Sequence, residues 1–265
     1  MSLKKEENGR RSVQVEVEVP GTPEEVWQAI ATGPGVSCWF VPCEVEERLG
    51  GTVTSHFGPG MDSVSKITAW DAPHRFAEES ANLGPNAPSM ATEWTVEARG
   101  GEKCVVRVVH SLFASTDDWD EQLTSVESGW PAFFRILRLY LEHFRGQPSA
   151  GVQLMAMAAG DVRAAWDALT GPLGLAGAAV GERRASGAGG PPIAGVVEAV
   201  GEGTHPYVLL LVDRPAAGAA YLGACPAGEQ VYLAVNFYFY GAGAADAAAR
   251  EEGVWKEWLS ARFPG

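Results

Sequence analysis

The chain has 265 residues, a formal net charge of −13, 46% hydrophobic residues and 20% charged residues. That balance is globular rather than disordered, and the length suits two domains of ordinary size. An acidic surplus without a local Lys/Arg cluster argues against nucleic acid and against an anionic membrane surface as partners. The 32 glycines and 17 prolines exceed the usual share and predict many turns, hence a sheet-rich protein. No apolar run approaches the roughly 20 residues that cross a bilayer. The first residues, Met-Ser-Leu-Lys-Lys-Glu-Glu-Asn, lack the apolar stretch of a secretory signal, so a cytoplasmic location is expected.

In Val13–Val19 the valines alternate with Gln14, Glu16 and Glu18, the period of a half-buried strand. Pro20-Gly21 ends it. Thr22 is a good N-cap, Pro23 suits the first helical position, and Glu25 completes a capping box. A short helix is predicted to about Ala31, stopped by Gly33-Pro34-Gly35. Glu44–Leu49 and Thr52–Phe57 flank Gly50-Gly51, which predicts a two-residue hairpin. Further strands are expected near 63–70, 75–81, 91–98 and 103–112, with turns at Asp71-Ala72-Pro73 and Gly100-Gly101. Trp94 and Val96, then Cys104, Val106, Val108 and His110, form the inward sets. From Val126 the period becomes helical, with Trp130, Phe133, Phe134, Leu137, Leu141 and Phe144 on one stripe. Pro131 is tolerated only in a first turn, so the helix is expected to start close to Gly129. Gly146-Gln-Pro148 ends it and marks a domain boundary.

Beyond that boundary the chain repeats itself. VQVEVEVPGTPEEVWQAI (13–30) and VQLMAMAAGDVRAAWDAL (152–169) align at a constant offset of 139, matching Val13 to Val152, Gly21 to Gly160 and Trp27 to Trp166. Asp161 takes the cap position of Thr22. The Ala/Gly-rich stretch 174–192 carries few strand signals. Strands return at Ile193–Val200, Tyr207–Val212, Ala219–Cys225 and Gln230–Tyr240. Residues 246–262 form a closing helix, with Val254, Trp258, Leu259 and Phe263 as its contacts. Just as Gly129-Trp130 opens the first long helix, Gly253-Val254-Trp255 marks its shorter counterpart. Two copies of one domain are expected, 1–148 and a shortened, divergent 149–265, packed on each other.

The order of strand, short helix, antiparallel meander and long C-terminal helix resembles the helix-grip fold of the SRPBCC (START-like) superfamily. More closely it resembles the branch named after the activator of heat-shock protein 90 ATPase. The segments VEVEVPGTPEEVWQAI (15–30), ERLGGTVTSHF (47–57), ITAWDAPHRF (67–76) and SGWPAFFRILRLYLEHF (128–144) carry the likeness. It implies an α+β protein of two helix-grip domains, each a sheet curled around its C-terminal helix. It also implies a cavity that takes a small hydrophobic ligand.

No phosphate-binding loop, nucleophile elbow or metal-binding helix occurs. The four cysteines are too sparse for a disulfide scaffold. Cys38 and Cys43 with His56 lack the spacing of a zinc site. No catalytic residue, metal or cofactor is therefore assigned. The cavity candidates are Trp39, His56, Phe57, Trp70, Phe76, Trp94, His110, Trp130 and Phe134. The expected function is non-catalytic binding of a hydrophobic or aromatic ligand by the N-terminal domain. Two alternatives remain. One is a polyketide cyclase or aromatase using His56 or His110 as general base beside Glu93 or Glu79. The other is a protein-interaction module resembling the chaperone activator.

Overall fold

A computed structural model describes residues 3–58, 60–80, 88–114 and 117–264, with the side chains of all of these except 121–122 and 124–128. The chain forms two compact units, Met1–Arg145 and Gly146–Gly265. No described helix is long and apolar enough to cross a membrane.

The first unit runs β1 (Lys4–Lys5), β2 (Arg10–Pro20), α1 (Pro23–Ala31), α2 (Gly33–Ser37), β3 (Cys43–Val45), β4 (Thr52–His56), β5 (Asp62–Asp71), β6 (Arg75–Ser80), β7 (Met90–Arg99), β8 (Lys103–Phe113) and α3 (Asp120–Leu139), which continues as a π-helical turn, Tyr140–Phe144. Its strands make one sheet in the order β1-β2-β8-β7-β6-β5-β4-β3. All neighbours are antiparallel. A meander that folds back strand by strand leaves only one long return, which lays β2 beside the last strand, β8. The strand predicted over 75–81 ends at Ser80, and residue 81 lies outside the described residues.

Capping chemistry fixes the start of α1. The Thr22 hydroxyl accepts from Glu25 N at 3.4 Å, and Glu25 Oε2 accepts from Thr22 N at 2.9 Å. Gly33-Pro34-Gly35 does not simply stop the helix, as the sequence suggests. Thr32 ends α1, and its hydroxyl accepts from Gly35 N at 3.1 Å to begin α2. No side chain fits at Gly35, where a Cβ would sit 1.8 Å from the Gln28 carbonyl.

Two further expectations fail for local reasons. Gly50-Gly51 is not a two-residue hairpin, because Val45 pairs with Val53 and the loop between them spans 46–51. The glycines instead serve the next strand, with Gly50 N donating to the Ile67 carbonyl and Ile67 N to the Gly51 carbonyl. Nor does the long helix start near Gly129, since α3 begins at Asp120 and Pro131 lies inside it. An interior proline costs a helix about 3 kcal/mol. Burial of Trp130, Phe134, Ile136 and Leu137 on either side of Pro131 offsets that loss, at about 1.5–3 kcal/mol for each large apolar side chain. Arg11, itself buried, anchors the helix start through Asp120 (2.6 Å) and Asp117 (2.8 Å). The acidic residue thereby sits where the helix dipole favours it.

The second unit repeats the plan with fewer strands: β9 (Ser149–Ala159), α4 (Val162–Thr170), β10 (Arg183–Ala185), β11 (Ala194–Gly201), β12 (Tyr207–Arg214), β13 (Gly218–Ala227), β14 (Gln230–Tyr240) and α5 (Ala244–Arg262). The sheet order is β10-β11-β12-β13-β14-β9. Again the first long strand lies against the last. Asp161 caps α4 by accepting from Ala164 N at 2.8 Å. Leu173, Leu175 and Ile193, from the Ala/Gly-rich segment and its edges, enter the core. In α5, Leu259 is buried and Trp258 and Phe263 pack at the core's edge, whereas Val254 is exposed. The buried residue is its neighbour Trp255, which is fully enclosed. Each unit is thus an α+β domain, an antiparallel sheet with one long C-terminal helix.

Candidate ligand-binding site

The first unit holds a cavity of about 340 Å³ between its sheet and α3. Strand parity decides what lines it. On β6 the residues Phe76, Glu78 and Ser80 face it, on β7 Met90, Thr92 and Trp94, and on β8 His110. Trp39 and Phe40 close one side, and Trp130 and Phe133 of α3 another. These rings contact each other edge-on or stacked. Trp94 meets Trp130 at 5.1 Å and 86°, Phe40 stacks on Trp130 at 5.3 Å and 24°, and Phe133 meets Phe40 at 4.7 Å and 85°. The wall is therefore a network of aromatic rings that fix one another's orientation.

Of the candidates read from the sequence, Trp39, Phe57, Phe76, Trp94, His110 and Trp130 line this cavity. Three do not. His56 is on the other face of β4 from Ser55 and bonds Asp62 at 2.9 Å, half-exposed. Adjacent residues of a strand point to opposite faces, so His56 and Phe57 cannot both look inward. Trp70 follows a register shift between Ile67 and Ala69, and packs on Trp27 (5.1 Å) and Phe76 (5.7 Å). Phe134 is fully buried behind the wall, against Trp94 and Trp130. The carboxylates expected beside a histidine are also elsewhere. Glu79 is exposed, and Glu93 pairs with Arg75 on the outer face.

A polar row crosses this apolar space. Glu78, Thr92 and His110 are direct cross-strand partners on β6, β7 and β8. His110 is 4% exposed. Its Nε2 accepts from the Trp130 indole Nε1–H at 2.6 Å, and its Nδ1 lies 2.9 Å from the Thr92 hydroxyl. An indole N–H can only donate, so Nε2 carries no proton. Burial pushes the imidazole down to about 4, so the ring is neutral near pH 7 and its one proton is on Nδ1, donated to Thr92. The two ring planes lie within 17° of each other with centroids 5.6 Å apart, as an in-plane N–H···N bond requires. Both ring nitrogens are thus committed.

Glu78 is different. Ser65 donates to its Oε2 at 2.6 Å, and burial pushes the carboxyl above the ordinary carboxylate range. Among the described residues, no lysine or arginine lines the cavity around it. Cys43, also in the lining, has its thiol pushed up to about 11 by burial, which leaves it protonated and unreactive near neutrality. Glu78, Thr92 and Phe40 were not singled out from the sequence. The signal for Glu78 was its parity with Phe76, two residues earlier on the same strand.

Residues 20–142 match the family model described as activator of Hsp90 ATPase homolog 1-like protein. The match lies wholly within the first unit and covers 123 of its 145 residues. No curated protein matches the chain. Among solved structures, the di-domain ARO/CYC BexL of the BE-7585A biosynthetic pathway is 14% identical, with 96% of this chain and 99% of that one covered and a TM-score of 0.45. DynU16, from the dynemicin biosynthetic locus, is 17% identical, with 96% and 98% covered and a TM-score of 0.43. The Aha1 dimer of Colwellia psychrerythraea is 20% identical, covers 50% of this chain and 96% of its own, and has a TM-score of 0.42.

Proposed function

We propose that the first unit is a non-catalytic binding module for a small, largely aromatic or apolar molecule. The observation that carries this reading is the cavity of about 340 Å³ walled by mutually braced aromatic rings. That volume is at the lower end of the range for small-molecule sites, and an apolar wall with a few placed polar groups is their usual composition. The cyclase reading needs an imidazole with a free nitrogen and an affinity for protons near neutrality. His110 has neither, since its nitrogens serve Trp130 and Thr92 and burial holds it near 4. Its role in this reading is to lock Trp130 in place.

The test is a titration of the full chain with N-phenyl-1-naphthylamine, a neutral apolar fluorophore, following dye emission and quenching of tryptophan. Saturable binding is expected, weakened at least ~10-fold (about 1.4 kcal/mol) in Ser55→Phe, which places a ring at a cavity-lining position. Absence of saturable binding to the wild type, or equal binding by a folded Ser55→Phe variant, contradicts the reading.

A further inference from the structure

We infer that the cavity selects organic cations, with Glu78 as the counter-charge for a protonated amine carried by an aromatic or apolar body. This inference rests on the binding function proposed above and narrows it to one ligand chemistry.

Among the described residues Glu78 is the one acidic side chain in the cavity lining, and no lysine or arginine accompanies it. Its Oε2 accepts from Ser65. Among the described residues the other oxygen, Oε1, has no hydrogen-bond partner, although it is not sealed from the cavity. A carboxyl group held among apolar walls without a counter-charge is destabilised in its ionised form, which accounts for its raised pKa. An ammonium group supplies both missing elements, a positive charge and hydrogen-bond donors for Oε1.

The rest of the lining favours the same sign of charge. The wall includes Trp39, Trp94 and Trp130, and tryptophan is the aromatic side chain that attracts cations best. Among the described residues the only basic side chain in the lining is His110, which is neutral and internally bonded. No described lining residue therefore compensates an anionic ligand, and an ionised Glu78 repels one. The net charge of −13 adds a field that concentrates cations around the protein at low ionic strength. The amine enters already protonated, so binding involves no covalent step.

Three molecules of nearly equal shape separate the possibilities: 1-naphthylmethylamine, 1-naphthylmethanol and 1-naphthoate, each titrated into the full chain at pH 7 with tryptophan quenching as the signal. The wild type is expected to bind the amine at least ~10-fold more tightly than the alcohol, a difference of about 1.4 kcal/mol, and the carboxylate least tightly. In Glu78→Gln, which keeps shape and removes charge, the amine is expected to fall to the affinity of the alcohol. Unchanged near-ultraviolet circular dichroism shows that the variant is folded. Equal binding of amine and alcohol by the wild type overturns the inference while leaving the binding function standing. So does an amine preference that survives Glu78→Gln. Failure of all three molecules and of N-phenyl-1-naphthylamine to bind overturns both. The wild-type ranking needs no variant, so a poorly folding Glu78→Gln does not remove the test.

Discussion

The same position in the two sheets carries opposite chemistry. The offset of 139 places Val13 on Val152. Val13 pairs with His110 on the last strand of its sheet, and Val152 pairs with Phe237. Following the ladders outward, the row His110–Thr92–Glu78 of the first unit corresponds to Phe237–Ala220–Leu210 of the second. All three of the latter are fully buried and apolar. Each row meets a tryptophan from the long helix, Trp130 at 5.6 Å from His110 and Trp255 at 4.9 Å from Phe237. In the first unit the indole N–H has an acceptor. In the second, Trp255 Nε1 is buried with no partner among the described residues. Trp255 holds the place of Trp130, but Phe237 stands where His110 would accept its N–H. Polar groups remain where one unit holds a cavity, and apolar side chains fill the same row in the other.

The comparison can be broken most severely by making the first row resemble the second. His110→Phe leaves the Trp130 N–H and the Thr92 hydroxyl without their shared partner. At about 1–3 kcal/mol for each buried group left unpaired, a loss of ~3 kcal/mol is expected, read by hydrogen exchange of β8 amides. A loss below 1 kcal/mol would show that the bonds to His110 contribute little.

Acid titration gives an effect of similar size. The imidazole titrates near 6.5 when unfolded and about 4 when folded. Between those values the unfolded chain holds the extra proton, so stability is full above pH 6.5 and falls as the pH drops toward 4, by about 3 kcal/mol. Glu78, whose carboxyl is raised, opposes this trend above its ordinary range, because its folded form binds the proton more readily. Urea midpoints of wild type and His110→Phe at pH 7 and pH 4.5 isolate the histidine contribution. The variant should lose less stability on acidification, and equal losses would count against burial of a neutral His110.

A smaller difference separates the two tryptophans. Trp130→Phe removes the donor to His110, whereas Trp255→Phe removes a donor that has no acceptor. Both lose similar volume, so exchange of β8 amides in the first variant should report a destabilisation about 1–2 kcal/mol larger than that of β14 amides in the second. The caps should differ least, since both copies retain one. Thr22→Ala and Asp161→Ala are each expected to lower the stability of their own unit by about 1 kcal/mol. A much larger value at Thr22 would assign weight to the reciprocal bond from Glu25.

Much of this was legible in the sequence where a local rule acts alone. The valine alternation of β2 and the capping box of α1 needed no tertiary context. The two helical tryptophans were visible as paired motifs at the ends of the copies. What escaped depended on pairing between distant segments. Gly50-Gly51 looks like a turn, but its backbone is taken by Ile67, seventeen residues from Gly50. Trp70 was placed by a register shift that no local pattern announces. Pro131 was read by its own preference, which the burial of its neighbours overrides. Parity could have excluded His56 once Phe57 was chosen, and could have found Glu78 from Phe76. The apolar row in the second unit was visible as alternating residues, but its meaning emerged only when the ladders aligned it with His110.

The most direct test of the account is a crystal structure of the full chain grown with 1-naphthylmethanol. One bound molecule is predicted, in the first unit among Trp39, Trp94 and Trp130, with the Trp130–His110 bond intact and no ligand between β14 and α5. A first unit whose interior is closed by its own side chains, or a molecule seated against Phe237 and Trp255 instead, would contradict it.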